Sequence, residues 1–276
     1  MSKPRGVLTE EDYEKVNRLT LHGKGLVDVS LLKKLKNLKY LDIGANPLKD
    51  LSPLAGLLQL EFLWVGNYGV KNSYDVPLNL GALGGLMKLQ RLRIAGSSIA
   101  DLSPVCALPS VTRLDLEYCR VQDFRPLTNM KNLKELGLEG VTSVKDNLQL
   151  ISKLHQLTSL NLQSCDIEDS SSLSSLSKLT DLNLQDNRID DLGPLRDVVA
   201  LKKLFLYHNQ ITELRPLIGM KDLEELYIGR NPVTDFSPLA NLSKLTELEV
   251  PRGRLLDDQA AEIRKSSPGV NIKEAD

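Results

Sequence analysis

The sequence is short of aromatic residues and of cysteine, and each shortage narrows what the chain can be. Aromatic side chains make up 4% of the 276 residues, whereas 41% of the residues are hydrophobic and leucine recurs throughout. The three cysteines, Cys106, Cys119 and Cys165, are odd in number and form no CxxC pair, which excludes a scaffold stapled by disulfides. A chain of this length has ample material for a core, and the leucine excess calls for an architectural cause.

Charge of one sign and long apolar runs are also missing. The chain carries 35 basic against 36 acidic side chains, so it lacks the broad positive field that non-specific binding to nucleic acid or membrane surfaces requires. No window approaches the roughly eighteen apolar residues of a membrane span, and the first residues lack the apolar core of a signal peptide. We therefore expect a cytoplasmic protein that binds neither nucleic acid nor membrane. A trimmed chain, or an effector secreted without a conventional signal peptide, would look the same.

A register L-x-x-L-x-L recurs along most of the chain. The repeats begin at Val16, Leu38, Leu60, Leu89, Val111, Leu133, Leu157, Leu179, Leu201, Leu223 and Leu245. Eight of the ten spacings between these residues are 22, and the other two are 29 and 24. All three apolar positions of every repeat hold Leu, Ile or Val, which chance placement cannot produce.

The full unit reads L-x-x-L-x-L-x-x-N-x-I-x-D-L-x-P-L-x-x-L-x-x, and the second repeat shows it from Leu38 through Asn46 and Pro53 to Leu57. This unit resembles the 22-residue leucine-rich repeats of bacterial internalins and of the SDS22-like regulators of protein phosphatase 1. The resemblance covers residues 16–256 and implies an α/β fold, the leucine-rich-repeat solenoid. In that fold a curved right-handed superhelix carries a parallel sheet on its concave face and short 3₁₀ turns on its convex face.

The repeat pattern also predicts the local structure. The period-two L-x-L step predicts one short strand per repeat with its leucine pair facing inward, and consecutive strands must pair in parallel because every repeat runs the same way. Proline fixes φ and lacks an N–H, which suits the first turn of a short 3₁₀-like return segment. Six repeats carry it there: Pro53, Pro104, Pro126, Pro194, Pro216 and Pro238. We predict an N-terminal cap over residues 1–15, eleven repeats over 16–256, and a helix-strand cap over 257–276.

Three local features refine this pattern. Thr9 and Asp12 form a capping-box-like start for a short first helix, and residues 258–265 and 270–273 predict the helix and strand of the second cap. The ninth position of the unit, normally Asn, holds Cys119 and Cys165 in two repeats, so both are expected to be buried structural residues. The third repeat gains seven residues within 67–77 and the sixth gains two around 142–147. Both insertions are expected on one rim of the solenoid.

Nothing in the sequence favours catalysis, a cofactor or a metal site. The three histidines lie in different repeats, and the chain contains no HExxH, P-loop or GxSxG motif. Asp115 and Glu117 share one strand face, but an open sheet offers neither a deep pocket nor exclusion of water for glycosidase-like chemistry. An enzyme that uses this pair is the least favoured interpretation.

The outward positions of the strands carry the functional signal. With the leucine pairs inward, the third, fifth and seventh positions of each unit must point away from the core, and six of the twelve aromatics fall there. Aromatics and arginine dominate interface hot spots, and acidic residues between them should select a basic partner surface. The first patch is Tyr40, Phe62, Trp64, Arg91 and Arg93, with Arg113 beside it. The acidic stretch is Asp115, Glu117, Glu135 and Glu139. The second patch is Lys203, Phe205, Tyr207 and Tyr227.

These residues predict a non-catalytic module, monomeric in solution, that binds another protein on its concave face. Resemblance to SDS22-like proteins implies a regulatory subunit of a phosphatase-like enzyme as an alternative, and resemblance to internalins implies a host-directed effector. Cross-strand aromatic stacking or self-association could also account for the aromatics. Trp64, the only tryptophan, is expected to point outward with red-shifted, readily quenched emission.

Overall fold

The computed structural model describes residues 9–69 and 77–276. The chain divides into two compact units, Met1–Asn132 and Leu133–Asp276, and each unit stacks short parallel strands joined by tight return segments. The insertion expected within residues 67–77 falls mainly on residues 70–76, and the N-terminal cap includes residues 1–8. Both segments lie outside the described residues.

The first unit contains a parallel sheet and a short second strand pair. Its strands are β1 (Arg18–Thr20), β2 (Tyr40–Asp42), β3 (Phe62–Gly66), β4 (Arg91–Ala95), β5 (Ser98–Ile99), β6 (Arg113–Asp115) and β7 (Arg120–Val121). Strands β1, β2, β3, β4 and β6 pair in parallel in that order, and β5 pairs with β7. The register aligns equivalent positions of adjacent repeats, for example Leu41 with Leu63 and Leu63 with Leu92.

The second unit repeats the same arrangement. Its strands are β8 (Glu135–Gly137), β9 (Ser159–Asn161), β10 (Asp181–Asn183), β11 (Lys203–Phe205), β12 (Glu225–Tyr227), β13 (Glu247–Pro251) and β14 (Asn271–Ala275). They pair in parallel in chain order. The prediction of one inward-facing parallel strand per repeat is therefore confirmed within each unit.

Short helices form the return segments. The α-helices are α1 (Glu10–Glu14), α2 (Ser103–Cys106), α3 (Leu148–Ile151) and α4 (Asp257–Ser266). The 3₁₀ helices are Ser30–Lys34, Ser52–Leu54, Gly81–Leu83, Arg125–Asn129, Thr142–Asn147, Ser171–Ser175, Gly193–Leu195, Arg215–Gly219 and Ser237–Asn241. All six prolines named above stand in the first turn of such a segment, as predicted, and the one in α2 starts an α-helical turn. The two residues gained by the sixth repeat lengthen its return segment, which continues from a 3₁₀ helix directly into α3.

The leucine ladder forms the core of each unit. In repeats two to eleven all three ladder positions are buried, and burial of one such side chain contributes about 2 kcal/mol. The ladder positions of the first repeat, Val16, Leu19 and Leu21, are only half-buried. An outermost repeat has a stacking neighbour on one side alone.

The caps follow the sequence closely. Thr9 caps α1 through the predicted capping box, in which its hydroxyl accepts from the Asp12 N–H while the Asp12 carboxylate accepts from the Thr9 N–H. At the other end α4 extends the predicted helix by one residue on each side, and β14 adds a parallel strand to β13.

Where the ninth position of the unit holds Asn or Cys, its side chain ties that repeat to the one before it. The Asn46 side chain donates from Nδ2 to the main-chain oxygen of Leu21, at 2.9 Å, and its Oδ1 accepts from the N–H groups of Lys24 and Leu26. Cys119 supplies only the donor half of this pattern, from Sγ to the oxygen of Ile94 at 3.3 Å. Asn therefore satisfies three main-chain groups of the preceding turn, and cysteine satisfies one.

Both predicted ladder cysteines are buried, as expected. Cys119 is 4% exposed and Cys165 is fully buried, with its Sγ 3.1 Å from the oxygen of Leu138. Burial raises the pKa of each thiol to about 12, and it does the same for Cys106 in α2.

The eighth position carries a feature that the sequence pattern did not reveal. In nine of the eleven repeats the residue there turns the chain out of the strand in the left-handed region of backbone space, even where it is not glycine. The non-glycine examples are Ala45, Tyr118, Ser164, Asp186, His208 and Arg230, and the glycine examples are Gly23, Gly96 and Gly140. L-residues adopt this conformation at a cost of about 1–2 kcal/mol, which the hydrogen bonds of the neighbouring ninth position help to offset.

Candidate binding surface

The strand alternation delivers the predicted residues to the face of each sheet that points away from the core. All of the fourteen predicted partner-binding residues are half-buried or exposed except Asp115, which is 9% exposed. The outward aromatics do not stand free in solvent. They pack against each other and against cations of adjacent strands.

The first patch is built on a stacked aromatic pair. Tyr40 of β2 and Phe62 of β3 are register partners, and their rings lie parallel with centroids 4.3 Å apart. The guanidinium of Arg18, on β1, lies 3.6 Å from the centre of the Tyr40 ring. Stacking and cation–π contacts of this kind hold the rings in one orientation without removing them from the surface.

Trp64 lies beside this pair and is held between two side chains. The ring of His22 is 4.4 Å from the indole, and the guanidinium of Arg93 is 4.2 Å from it on the β4 side. Gly44 leaves room for the indole, because a Cβ at this position would lie 2.7 Å from Nε1. Trp64 therefore points outward as predicted, but it is half-buried, so its emission should be less red-shifted and less quenchable than a free indole's.

Arginine pairs with both carboxylates of the acidic stretch that lie in the first unit. Glu117 forms an ion pair with Arg93, and Asp115 accepts from Arg113 Nε at 2.8 Å. Both arginines belong to the set predicted from sequence. The half of the acidic stretch that lies in the first unit is thus compensated within that unit.

The second patch is also a stacked pair with charged neighbours. Phe205 of β11 and Tyr227 of β12 are register partners whose centroids are 4.8 Å apart at an interplanar angle of 9°. The Lys203 ammonium lies 2.6 Å from Glu225, which raises the pKa of the lysine. Burial, followed by the nearby Glu225 charge, raises the pKa of Tyr227.

Tyr207 is the member of the second patch with a contact beyond the strands. Its hydroxyl donates to the main-chain oxygen of Asp276 at 2.6 Å, and Arg230 donates to the same atom. Gly229 lies under the ring, since a Cβ there would lie 2.8 Å from Tyr207 Cδ2. In both patches an aromatic ring thus rests over a glycine that follows the strand of the adjacent repeat, an arrangement that composition alone does not signal.

The surplus of negative charge lies on the second unit. Its outward strand positions carry two lysines, Lys203 and Lys273, against six carboxylates: Glu135, Glu139, Asp181, Glu225, Glu247 and Glu249. A run of side-chain amides accompanies them; Asn161, for example, donates to Glu139 at 3.4 Å, and Asn183 donates to Gln163 at 3.3 Å. These amides stand at outward positions of the repeat, but their polarity without charge gives no reason in the sequence to select them.

The described residues hold no cluster of three or more His, Cys, Asp or Glu that could bind a metal. None of the helices in the described part of the chain has the length and apolar character needed to cross a membrane.

Family models and curated proteins match parts of the repeat array. A model described as Leucine Rich repeats (2 copies) matches residues 199–241, and one described as Leucine Rich repeat matches residues 153–171 and 175–193. Leucine-rich repeat-containing protein 56 of Rattus norvegicus is 33% identical over 112 residues, which are 40% of this chain and 19% of the rat protein. The Homo sapiens protein of that name is 35% identical over 108 residues, 34% of this chain and 20% of that protein. The matches therefore span about a fifth of the length of these relatives.

Solved structures match nearly the whole chain. The internalin inlF from Listeria monocytogenes matches with a TM-score of 0.66 over 97% of this chain and 89% of that chain, at 23% identity. The plant peptide hormone receptor RGFR1, solved in complex with RGF2, matches with a TM-score of 0.58 over 90% of this chain and 45% of that chain, at 18% identity. At such identities the likeness concerns the fold, and this fold is typical of protein–protein interaction modules. The repeats, the family-model matches to part of the array and the structural likeness together show a leucine-rich-repeat fold similar to that of inlF.

Proposed function

We propose that the protein is a non-catalytic interaction module that binds a partner protein on the outward strand faces, through the first and second patches. The observation that carries this proposal is the pair of ordered aromatic stacks on strand faces, Tyr40 with Phe62 and Phe205 with Tyr227. Rigid aromatic side chains lose little conformational entropy on binding, and they are enriched among interface hot spots.

The packing of the patches supports binding over a purely structural role. The leucine ladder is already buried on the opposite side of the strands in repeats two to eleven, so the stack does not need the outward rings to close its core. Half-buried rings still present apolar area that a partner surface would remove from water. Their mutual stacking sets the shape of that area before a partner arrives.

The experiment is capture from the lysate of the source organism, with the full chain as bait, followed by titration of the purified partner. Trp64→Ala and Phe205→Ala each remove one anchor, and we expect at least one of them to weaken binding by about 2 kcal/mol or more, as buried interface anchors do. Met87→Ala and Val199→Ala are matched controls, because they remove exposed apolar side chains from the return segments of the same two units.

The proposal fails if the controls weaken binding as much as the patch variants, or if neither patch variant changes the affinity of a partner that the wild-type chain binds. The first outcome would place the interface on the return segments. A circular dichroism melt of each variant separates loss of binding from loss of fold.

The non-catalytic part of the proposal has its own support. Asp115 and Glu117, the two carboxylates that share one strand face, each form an ion pair with an arginine of the same unit, so both already have a partner within the fold. Turnover of a generic ester, glycoside or phosphate, lost in Asp115→Asn or Glu117→Gln, would contradict this assignment.

A cytoplasmic location and a monomeric state complete the proposal. The three cysteines are free and buried. The fold therefore holds without a disulfide, which is compatible with a reducing compartment. Cell fractionation tests the location. Light scattering over a range of concentrations tests the monomer, and a mass that rises with concentration would instead point to self-association.

A further inference from the structure

The third position of the unit forms a row across the first four strands, with an aromatic pair in the middle and an arginine at each end. In register order the row reads Arg18, Tyr40, Phe62 and Arg91 on β1, β2, β3 and β4. Two cations thus flank a stacked aromatic pair on adjacent strands. With about 4.8 Å between strands, the two arginine Cα positions lie about 14 Å apart.

Both flanking arginines remain available for a ligand. Arg18 and Arg91 are exposed, and within the described residues neither forms an ion pair with a carboxylate. The carboxylates that share this face are already engaged, because Asp115 and Glu117 bind other arginines and Asp42 contacts His22 at 3.1 Å.

The cation–π contact prepares Arg18 for binding. Its guanidinium lies over the Tyr40 ring, which fixes the plane of the fork while leaving N–H donors at its edge free. An oriented guanidinium can bind a carboxylate through two parallel hydrogen bonds, with less entropy lost than a free side chain would lose.

We propose that this row recognises an extended acidic peptide with the pattern acid-x-aromatic-x-acid, in which aliphatic side chains can replace the aromatic one. An extended chain advances about 3.4 Å per residue, so four residues span about 14 Å, the separation of the two arginines. Residues i, i+2 and i+4 of such a chain share one face. The central side chain then rests on Tyr40 and Phe62 while the outer carboxylates reach the two arginines.

This inference rests on the proposed function and names the partner class for the first patch. The second unit carries six outward carboxylates against two lysines, so its face selects the opposite charge. From the sequence, the acidic stretch that includes Asp115 and Glu117 is expected to select a basic partner surface. Because the first unit compensates its own carboxylates, that expectation is kept for the second unit alone.

The test uses fluorescein-labelled peptides with neutral Gly-Ser flanks and the full chain, measured by fluorescence anisotropy at about 50 mM NaCl, where exposed ion pairs are screened less than at physiological salt. The core Glu-Ser-Phe-Ser-Glu should bind about tenfold more tightly than Lys-Ser-Phe-Ser-Lys. It should also bind more tightly than Ser-Glu-Phe-Glu-Ser, whose acids are too close together to reach both arginines.

Charge reversal provides the decisive variant. Arg18→Glu with Arg91→Glu should abolish the preference for the acidic peptide and transfer it to the lysine peptide. Lys33→Glu with Lys49→Glu makes the same change in net charge on exposed return-segment positions of the same unit, and it should alter each affinity less than about twofold.

Equal binding of the acidic and lysine peptides to the wild-type chain overturns the inference, and so does an acidic-peptide affinity that survives the double reversal. If the captured partner still requires Trp64 while its affinity ignores Arg18 and Arg91, the proposed function stands and only the acidic recognition fails. If Trp64→Ala and Phe205→Ala both bind the partner as tightly as the wild-type chain does, the proposed function itself is wrong.

Discussion

Cys119 and Cys165 take the place of Asn in the repeat and act as buried hydrogen-bond donors. Because burial raises the pKa of both thiols to about 12, the thiolate fraction near pH 8 is negligible and labelling must wait for local opening. We expect native protein to react with a thiol reagent far more slowly than protein unfolded in urea. Rapid labelling of both residues in native protein, detected by mass spectrometry, would show that they are not buried in the core.

Gly44 leaves space for the indole of Trp64, so the fluorescence of this tryptophan can test whether a larger residue fits there. A Cβ at this position would lie 2.7 Å from Trp64 Nε1 and 3.0 Å from His22 Nδ1, so Gly44→Ala should displace the indole and shift its emission. Gly85→Ala is the control, because its Cβ meets nothing within 4 Å and lies on the return side of the same unit. An unchanged emission spectrum in Gly44→Ala, with normal folding, would show that the indole does not occupy the described position.

At the scale of the element, the turn that leaves each strand is the place where local preference and repeat geometry conflict. Ala45 has φ of 54°, a conformation that glycine adopts without the cost of about 1–2 kcal/mol carried by alanine. Glycine also loses about 0.5–1 kcal/mol more in conformational entropy on folding. We therefore expect Ala45→Gly to raise the free energy of unfolding by up to about 1 kcal/mol.

Ala55 makes the matched comparison for this turn. It is exposed and has φ of −55°, so Ala55→Gly brings the entropy loss without relief of strain and should lower the free energy of unfolding by about 0.5–1 kcal/mol. Urea titrations of the two variants should give changes of opposite sign. Changes of the same sign would mean that the left-handed turn is not the source of strain in this repeat.

At the scale of the whole molecule, the three buried cysteines predict weakness in alkali. Their folded-state pKa values, about 12, lie above the unfolded value of 9.0. Stability from the protonated thiols is therefore fully present below about pH 9 and is lost as pH rises towards 12. Each thiol contributes a slope of about 1.4 kcal/mol per pH unit in that window.

Cys119→Ser tests this slope, because serine keeps a hydroxyl donor at the same position and does not titrate in this range. Its free energy of unfolding, measured by urea titration between about pH 9 and pH 10.5, should fall less steeply than that of the wild-type chain by about 1.4 kcal/mol per pH unit. Parallel curves for the two proteins would show that Cys119 ionises as easily in the folded state as in the unfolded one.

The sequence predicts the repeats far better than it predicts the chemistry of the outward face. The ladder positions and the return-segment prolines follow from period and backbone preference, so Leu63 and Pro53 were assigned correctly from spacing alone. Other features depend on which side chains meet across strands. Examples are the ion pair of Arg93 with Glu117 and the space that Gly44 leaves for the indole of Trp64. Register gives the neighbours but not their rotamers, and for this reason Trp64 was expected to be more exposed than it is.

The ninth-position hydrogen bonds give the stack a direction. Asn187 satisfies N–H groups of Cys165 and Ile167 in the preceding repeat, and Asn231 does the same for Ile211, so each repeat that carries this Asn completes the turn before it. When the repeat that carries the Asn is removed from the C-terminal side, the N–H groups of the repeat before it lose their acceptor. Each such group costs about 1–3 kcal/mol if it stays buried. Removing a repeat from the N-terminal side leaves only an idle side-chain amide that water can solvate, so progressive shortening should be tolerated unequally in the two directions.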